Sequence, residues 1–278
     1  METLLLVDDD PELQGSLRRI LKSSEWEIES VPSNAGALSR VQSKSYALVI
    51  TGATTSGQDD VELLREIRLA RPHTKVIILT GKSTPEDVVA AIREHAFSYF
   101  SKPFSFDSLA AIVNIAVEGP SWDDGIELLS GKPSWISLQV RCNLSTAERL
   151  LQFIREIKAD MPADEREAVG SAFRELLMNA IEHGGHLDPE QYVEISYIRA
   201  KHAVLCRVKD PGPGFSQQEL PQSALSNPPE DPLFHTRHRE ALGLRPGGFG
   251  LLLAQKLVDE VTYNQQGNEA LLIKYLRH

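Results

Sequence analysis

One stretch decides how the second half of this chain folds, and it reads Glu175-Leu-Leu-Met-Asn179-Ala-Ile-Glu-His183. In an α-helix, Glu175, Asn179 and His183 stand at positions i, i+4 and i+8, so the spacing predicts that they share one face. The apolar residues between them predict that another face packs against a core. A row of three polar groups is unusual for a structural helix, although an amphipathic surface helix would show a similar pattern.

Two glycine-rich segments follow this stretch. Asp210-Pro-Gly-Pro-Gly214 comes directly after a predicted strand at 203–208, and Gly247-Gly-Phe-Gly250 directly before a predicted helix from Leu251 to Val261. Glycines ahead of a helix N-terminus leave free amides at the positive end of the helix dipole, which suits an anion. Each segment alone is a weak signal, because similar runs occur in ordinary turns.

Taken together, the three segments resemble the nucleotide-binding core of the GHKL superfamily, which includes gyrase, Hsp90, histidine kinases and MutL. The short layout is most similar to the anti-sigma-factor type of serine/threonine kinase. This resemblance implies an α+β sandwich of the GHKL (Bergerat) type that binds ATP with Mg²⁺.

The resemblance also implies roles for individual residues. Asn179 would be the magnesium ligand, Glu175 the general base near the γ-phosphate, and Asp210 the acceptor of a hydrogen bond from the adenine amino group. For His183 a simple helix-capping role is equally open. The implied cofactor-binding set is Asn179, His183, Asp210, Gly212, Gly214, Gly247, Gly248, Gly250 and Leu251.

The segment 216–246 is long, rich in proline and polar residues, and without periodicity. A loop of this length inside a compact domain is usually functional or disordered. We expect it to be the lid of the ATP site. Arg237, Arg239 and Arg245 would reach phosphates from it, although each also reads as an ordinary solvated arginine.

The first 118 residues alternate strand and helix patterns. Short apolar runs at 4–7, 46–50 and 75–80 are typical of buried parallel strands, and amphipathic stretches at 59–70, 84–94 and 106–118 predict helices around them. This rhythm predicts a doubly wound, flavodoxin-like α/β sheet with any site at the carboxyl ends of the strands.

Those strand ends resemble the phosphorylation centre of a receiver domain. Asp8 and Asp9 follow the first strand as the metal-binding acids would, and Thr80 ends the fourth strand. Lys102 follows the fifth, with Tyr99 in the place of the switch aromatic. The resemblance implies a response-regulator-like input region.

The acceptor aspartate of that centre is missing from its expected place. Alignment of Tyr46-Ala-Leu-Val-Ile-Thr with the receiver pattern places Gly52 at the acceptor position, and glycine offers no carboxylate for an acyl phosphate. Asp59 and Asp60 are the nearest acids downstream. We interpret them as helix N-terminal acids stabilised by the dipole, and we expect them to point away from the centre. A displaced acceptor is the alternative. The first region then reads as a pseudo-receiver for partner binding or dimerisation.

Length and composition fit two domains. The chain has 278 residues and a formal charge of −10, which argues against a general nucleic-acid binder. Its two cysteines have no CxxC partner, and no apolar run is long enough to cross a membrane, so we expect a cytoplasmic protein. The expected boundaries are 1–118 for the pseudo-receiver, 119–135 for a linker or hairpin, and 136–278 for the ATP-binding kinase domain.

Three functions compete at this point. The first is an anti-sigma-type kinase that phosphorylates a hydroxyl of a small anti-anti-sigma (STAS-like) partner, acting as a homodimer. The second is a nucleotide-gated module that sequesters a partner such as a sigma factor. The third is a histidine kinase, which the sequence disfavours because no histidine lies between residues 96 and 182 and His95 falls at the predicted fourth helix.

Overall fold

The computed structural model describes residues 2–8, 10–21, 26–52, 55–119, 125–158, 161–215, 231, 234, 237 and 249–277. The chain divides into two compact units. One consists of Met1–Asp124 with Glu148–Ala159, and the other of Gly125–Ala147 with Asp160–His278.

The first unit is built around a five-stranded parallel sheet. Its strands are β1 (Glu2–Leu6), β2 (Trp26–Ser30), β3 (Leu48–Ile50), β4 (Lys75–Thr80) and β5 (Ser98–Ser101). The helices are α1 (Pro11–Ile20), α2 (Asn34–Ser43), α3 (Gly57–Ala70), α4 (Pro85–Arg93) and α5 (Phe106–Glu118). The strand order β2-β1-β3-β4-β5, with parallel pairing throughout, confirms the doubly wound prediction.

Local side-chain chemistry explains where the helices of the first unit begin. Two of them start with a capping box, in which the cap hydroxyl and an acid three residues later bond each other's backbone. Ser56 and Asp59 form the box of α3, and Thr84 and Asp87 form that of α4. Helix α4 ends at Arg93, so His95 lies beyond it, in a turn where its φ is 62°.

The second unit contains a six-stranded antiparallel sheet. Its strands are β6 (Ile126–Lys132), β7 (Trp135–Arg141), β8 (Tyr192–Arg199), β9 (Ala203–Lys209), β10 (Glu260–Tyr263) and β11 (Glu269–Tyr275), in the order β10-β11-β9-β8-β7-β6. The helices are α6 (Leu144–Ile157), α7 (Ala163–Asn179) and α8 (Gly250–Leu257), and a π-helical turn, Ala180–Gly184, continues α7. Alternate residues of β7 and β9 are buried, which gives the sheet one core face. The α+β class is as predicted.

Two elements differ from the expectation. The helix predicted to reach Val261 ends at Leu257, and Glu260–Tyr263 pairs with β11 instead. The residues after Leu257 include the β-branched Val258, Val261 and Thr262, which suit a strand better than a helix. Helix α6 begins near Ser145, as expected, but the division between the units falls inside it, because Glu148–Ala159 belongs to the first unit.

Candidate functional site

Helix α7 carries the row of polar residues that the sequence singles out. Phe173, Leu176 and Leu177 are buried, while Glu175 and Asn179 are half-buried and within reach of a ligand. The α-helical register stops at Asn179, since the Gly185 amide donates to the Ala180 carbonyl five residues back, at 2.8 Å. This π-turn shifts His183 relative to an i+8 position. The His183 side chain is exposed.

Glu175 lies against the first residue of α8. A Cβ built on Gly250 would fall 2.2 Å from the Glu175 Oε2 atom, so only glycine allows this approach. The carboxylate therefore sits at the N-terminus of α8, where the amides of the first turn have no partners within the helix. The third of the three segments thus meets the first at its Glu175 end.

Asp210 lies against the other end of the same stretch. A Cβ on Gly184, the last residue of the π-turn, would fall 2.3 Å from both Cγ and Oδ1 of Asp210. The Gly212 amide donates to Asp210 Oδ1 at 2.8 Å, which fixes the carboxylate at the start of the Asp210–Gly214 loop. Burial raises the pKa of Asp210 above its usual value, and the bond from Gly212 opposes that shift.

These contacts fix the order of groups along α7. Gly184 lies nine positions after Glu175, which is roughly 13 Å at the α-helical rise, and Asn179 lies between them. The structure therefore brings together Glu175, Asn179, Asp210, Gly212 and Gly250 around one helix. Leu251, half-buried, follows in the first turn of α8.

Other residues of the predicted site lie elsewhere or outside the described residues. Gly247, Gly248, Arg239 and Arg245 lie outside the described residues, as does most of the expected lid. Arg237 is described, is exposed, and forms an ion pair with Asp231.

An asparagine-rich turn supports the Asp210–Gly214 loop, and the sequence reasoning missed it. The Asn268 side chain donates to the carbonyls of Asp210 at 3.5 Å and Gly212 at 3.4 Å, and the Asp210 amide donates to the Asn268 carbonyl at 2.9 Å. Asn264 holds Asn268 in turn, with its Nδ2 at 2.8 Å from Asn268 Oδ1. A pair of asparagines four residues apart on either side of a glycine is a turn signal, but it says nothing about which loop it supports.

Gly214 is required by this arrangement. Its φ is +82°, and a Cβ there would fall 1.9 Å from the Gln266 carbonyl oxygen of the asparagine-rich turn. The loop therefore reaches its position only because residue 214 has no side chain. Phe215 follows and packs edge-on against Tyr263, with ring centroids 5.3 Å apart.

Comparison with known proteins identifies both halves of the chain. A model of the response regulator receiver domain matches residues 4–114, and a model of the histidine kinase-like ATPase domain matches residues 140–274. The chain is a receiver domain followed by a GHKL-type ATPase domain. Together with the fold, this makes it a signalling protein with a kinase-type, nucleotide-binding ATPase region.

Similar curated proteins share only part of this chain. The nitrogen assimilation regulatory protein NtrX of Azorhizobium caulinodans is 30% identical over 117 residues, which is 41% of this chain and 26% of that protein. The transcriptional regulatory protein GlrR of Escherichia coli K12 is 34% identical over 123 residues, which is 44% of this chain and 28% of that protein. The chain thus spans about a quarter of the length of these relatives.

Solved structures include similar receiver domains. The CheY-like receiver domain protein from Methanospirillum hungatei is 26% identical, with a TM-score of 0.37, and the match covers 42% of this chain and 95% of that one.

The receiver domain is closed at the position where the acceptor aspartate is expected. A Cβ on Gly52 would fall 2.0 Å from the Val7 carbonyl oxygen, so the end of β3 lies directly against β1. Asp8 is nearby and buried, with its Oδ1 accepting from the Asp10 amide at 2.9 Å. Asp9 lies outside the described residues.

The landmarks on the neighbouring strands are buried or fixed by backbone bonds. The Thr80 hydroxyl lies 3.0 Å from both the Thr55 and the Lys82 carbonyl oxygens, and the Gly57 amide donates to the Lys82 carbonyl at 2.9 Å. Tyr99 is fully buried, and burial raises the pKa of its hydroxyl. Lys102 is exposed.

Asp60 corrects the expectation that both acids of α3 point away from the centre. Asp59 caps α3 as predicted, but Asp60 is completely buried, with its Oδ1 2.7 Å from the Thr55 hydroxyl. The same hydroxyl lies 2.8 Å from the Gly52 carbonyl oxygen. Residue 60 lies in the first turn of α3, and its position around the helix axis directs its side chain toward the interior of the domain.

This geometry favours a protonated Asp60. A hydroxyl has one proton to donate. If the Thr55 hydroxyl donates to the Gly52 carbonyl, Asp60 must be protonated so that it can donate a hydrogen bond to the Thr55 oxygen. Burial raises the pKa of Asp60 to about 7, against smaller opposing contributions from Thr55, Asn34 and Thr80. Asp60 therefore fills the centre with a carboxyl group that is protonated below about pH 7.

Among the described residues no group of three or more His, Cys, Asp or Glu side chains is arranged to hold a metal ion, so a cation at Asn179 would depend on further ligands such as phosphate oxygens. Of the helices in the same part of the chain, none has the length and apolar character needed to span a membrane.

Proposed function

We propose that the protein is an ATP- and Mg²⁺-dependent serine/threonine kinase of the anti-sigma-factor type. One observation carries this proposal. Both ends of the stretch 175–184 contact the two glycine-rich segments, Glu175 at Gly250 and Gly184 at Asp210. A base at one end, an adenine acceptor at the other and an amide oxygen between them form the order that nucleotide-dependent transfer needs.

The residues present fit a bound nucleotide. Asp210 has its carboxylate fixed by the Gly212 amide and partly buried, which suits recognition of an adenine amino group. Asn179 would hold the magnesium ion through its amide oxygen together with the phosphates. The bound nucleotide would supply the transferable phosphoryl group.

Glu175 would act on the acceptor hydroxyl. A carboxylate at the N-terminus of α8 lies beside amides that suit phosphate oxygens, so it is near the place where the hydroxyl must attack. General-base assistance of this kind typically contributes about 10²- to 10⁴-fold to a rate. A module that only binds partners needs no base there, which favours the kinase over the sequestering alternative.

The partner we propose is a small regulatory protein of the anti-anti-sigma, STAS-like type that presents a serine or threonine, with a sigma factor as a second candidate. The receiver domain would be a pseudo-receiver, because Gly52 provides no carboxylate and the Asp60 carboxyl is completely buried. We further propose a cytoplasmic homodimer without direct contact to nucleic acid or membrane.

Capture of the partner tests this function directly. The tagged full chain is incubated with native lysate with and without Mg-ATP, and the captured protein is then exposed to γ-labelled ATP. We expect label on a serine or threonine of the partner with the wild type and none with Glu175→Ala, although that variant still binds ATP. ATP-dependent capture without any labelling by the wild type would instead establish the sequestering module.

A further inference from the structure

The β5 strand lies at the edge of the receiver sheet, next to β4 only. Along such an edge, every second residue directs its backbone groups away from the sheet, where they need other partners. At this edge the Phe97 carbonyl, the Tyr99 carbonyl and the Ser101 amide have partners outside the sheet.

Helix α6 supplies those partners from one row of side chains. Arg149 Nε donates to the Phe97 carbonyl at 2.9 Å, and Gln152 Nε2 donates to the Tyr99 carbonyl at 2.9 Å. Glu156 Oε2 accepts from the Ser101 amide at 3.2 Å and from its hydroxyl at 2.5 Å. We call Arg149, Gln152 and Glu156 the α6 row.

The row is a buried polar contact and not a set of surface bonds. Its three side chains are only 3%, 6% and 8% exposed. Gln152 Nε2 also lies 2.9 Å from Glu156 Oε1, so the members hold one another. The Arg149 guanidinium stacks on the Phe97 ring, 4.2 Å from its centroid. A buried polar group that loses its hydrogen-bond partner costs free energy. These bonds therefore stabilise the contact between α6 and β5.

The α6 row lies in a part of the chain that is assigned to both domains. Residues 149–156 lie within the part that matches the ATPase domain, 140–274, yet they belong to the compact unit of the receiver domain. Tyr99, whose carbonyl the row holds, is the fully buried aromatic next to the closed centre. One continuous helix is therefore part of both domains.

We propose that the receiver domain controls the ATPase domain through α6, by direct bonds from the α6 row to the β5 backbone and without phosphorylation. This inference rests on the proposed ATP-dependent function. A change at the receiver surface that shifts β5 would move the start of the ATPase region because the row transmits it.

A matched pair of variants in the full chain tests this control. Gln152→Leu removes the amide from the middle of the row. Arg155→Leu introduces leucine on the same helix at an exposed side chain, and it loses a 3.2 Å bond to Ser108 and a charge near Glu156 but no bond to β5 given for the row. Glu156→Gln is the conservative member, because it keeps an oxygen for the Ser101 amide.

Two readouts separate structure from control. Hydrogen exchange of the Ser101 amide reports the contact between the α6 row and β5. We expect the exchange to be roughly tenfold faster, or more, in Gln152→Leu. In Arg155→Leu and Glu156→Gln the exchange rate should stay within about threefold of wild type. ATP turnover reports control, and we expect Gln152→Leu to change it while Arg155→Leu does not. Unchanged turnover in Gln152→Leu, with exchange accelerated as expected, would overturn the proposal.

Failure of the proposed function gives a different pattern. If the wild type neither binds nor turns over ATP, the proposed function fails whatever the exchange rates show. A Gln152→Leu protein that does not fold leaves the decision to Glu156→Ala, which is judged by the same two measurements. This variant removes the acceptor of the Ser101 amide and hydroxyl together with the contact to Gln152.

Discussion

The receiver and ATPase domains each place a carboxyl group where chemistry would be expected, but in opposite surroundings. Asp60 is completely buried and bonded to Thr55, and its pKa is raised to about 7. Glu175 is half-buried and lies at the start of a helix, against a residue with no side chain. A completely buried carboxyl group is not accessible to a phosphoryl donor, whereas a half-buried carboxylate at a helix N-terminus can serve a bound one.

The glycines show the same difference. Gly52 lets two backbones close on each other, since the Val7 carbonyl occupies the space of a side chain. Gly250 allows a functional group to approach, since the Glu175 carboxylate occupies that space. Gly52 thus closes a position in the first domain, whereas Gly250 leaves room for a carboxylate in the second.

The largest expected effect is at Asn179, the proposed magnesium ligand of the ATPase domain. Asn179→Ala removes the amide oxygen that would hold magnesium, so Mg-ATP affinity should fall below detection in titration calorimetry. His183→Ala should change it by no more than a few-fold, because the π-turn leaves that side chain exposed. Wild-type affinity in Asn179→Ala would remove the metal site from this helix.

A methyl group at Gly250 tests how closely Glu175 must be positioned. Gly250→Ala places a carbon 2.2 Å from Glu175 Oε2, which forces the carboxylate to move by about an ångström. Displacements of that size can cost about 100-fold in rate, so transfer to the partner should fall by roughly that factor while ATP affinity stays within a few-fold. Gly15→Ala is the matched control, because its Cβ would meet nothing within 4 Å.

We expect the stability of the receiver domain to depend on pH through Asp60. The folded-state pKa of Asp60, about 7, is above the ordinary value of 3.8, so its contribution to stability is complete below about pH 4 and is lost as pH rises through 7. The shift sets an upper bound of about 4 kcal/mol, and we expect about 1–2 kcal/mol after relaxation. Asp60→Asn should remove this dependence, because its amide donates to Thr55 at every pH.

Segment-resolved hydrogen exchange in urea measures this effect at pH 5 and pH 8. The segment 48–67 of the wild type should unfold at lower urea at pH 8, and the difference should vanish in Asp60→Asn. Asp59→Asn is a control for removing a charge from the same helix, since Asp59 is an exposed cap. Equal urea midpoints at both pH values in the wild type would mean that Asp60 is ionised in the fold.

The sequence predicts the fold here better than it predicts side-chain direction. Strand ends carrying Thr80 and Lys102 are readable because apolar runs and their polar ends mark a parallel sheet. Position 60 reads as a helix start, but whether its carboxyl faces water or Thr55 depends on how α3 is rotated against the sheet. The α6 row is hidden for a similar reason, since buried Arg149 and Glu156 look like surface charges until β5 provides backbone partners.

The smallest expected effect is that phosphoryl donors do not modify the receiver domain. This result is the most direct test of the comparison. Beryllofluoride or acetyl phosphate with magnesium should leave the wild-type receiver domain unmodified, because neither Gly52 nor the enclosed Asp60 offers an accessible carboxylate. Gly52→Asp restores the expected acceptor residue in the sequence. Its Cβ would nevertheless fall 2.0 Å from the Val7 carbonyl oxygen, so the backbone must move before the carboxylate has room.

We therefore expect Gly52→Asp to lower the stability of the receiver domain without regaining phosphorylation, as judged by intact mass after incubation with acetyl phosphate. The double variant Gly52→Asp with Asp60→Gly separates the two obstacles, since it also frees the space that Asp60 fills next to Thr55. Modification of the double variant alone would show that Asp60 helps to close the centre. Stoichiometric phosphate on Gly52→Asp alone would mean that the centre opens readily, and phosphate on Asp60 of the wild type would mean that the acceptor has moved and has not been lost. Either result would end the contrast between a closed receiver and an open ATPase site.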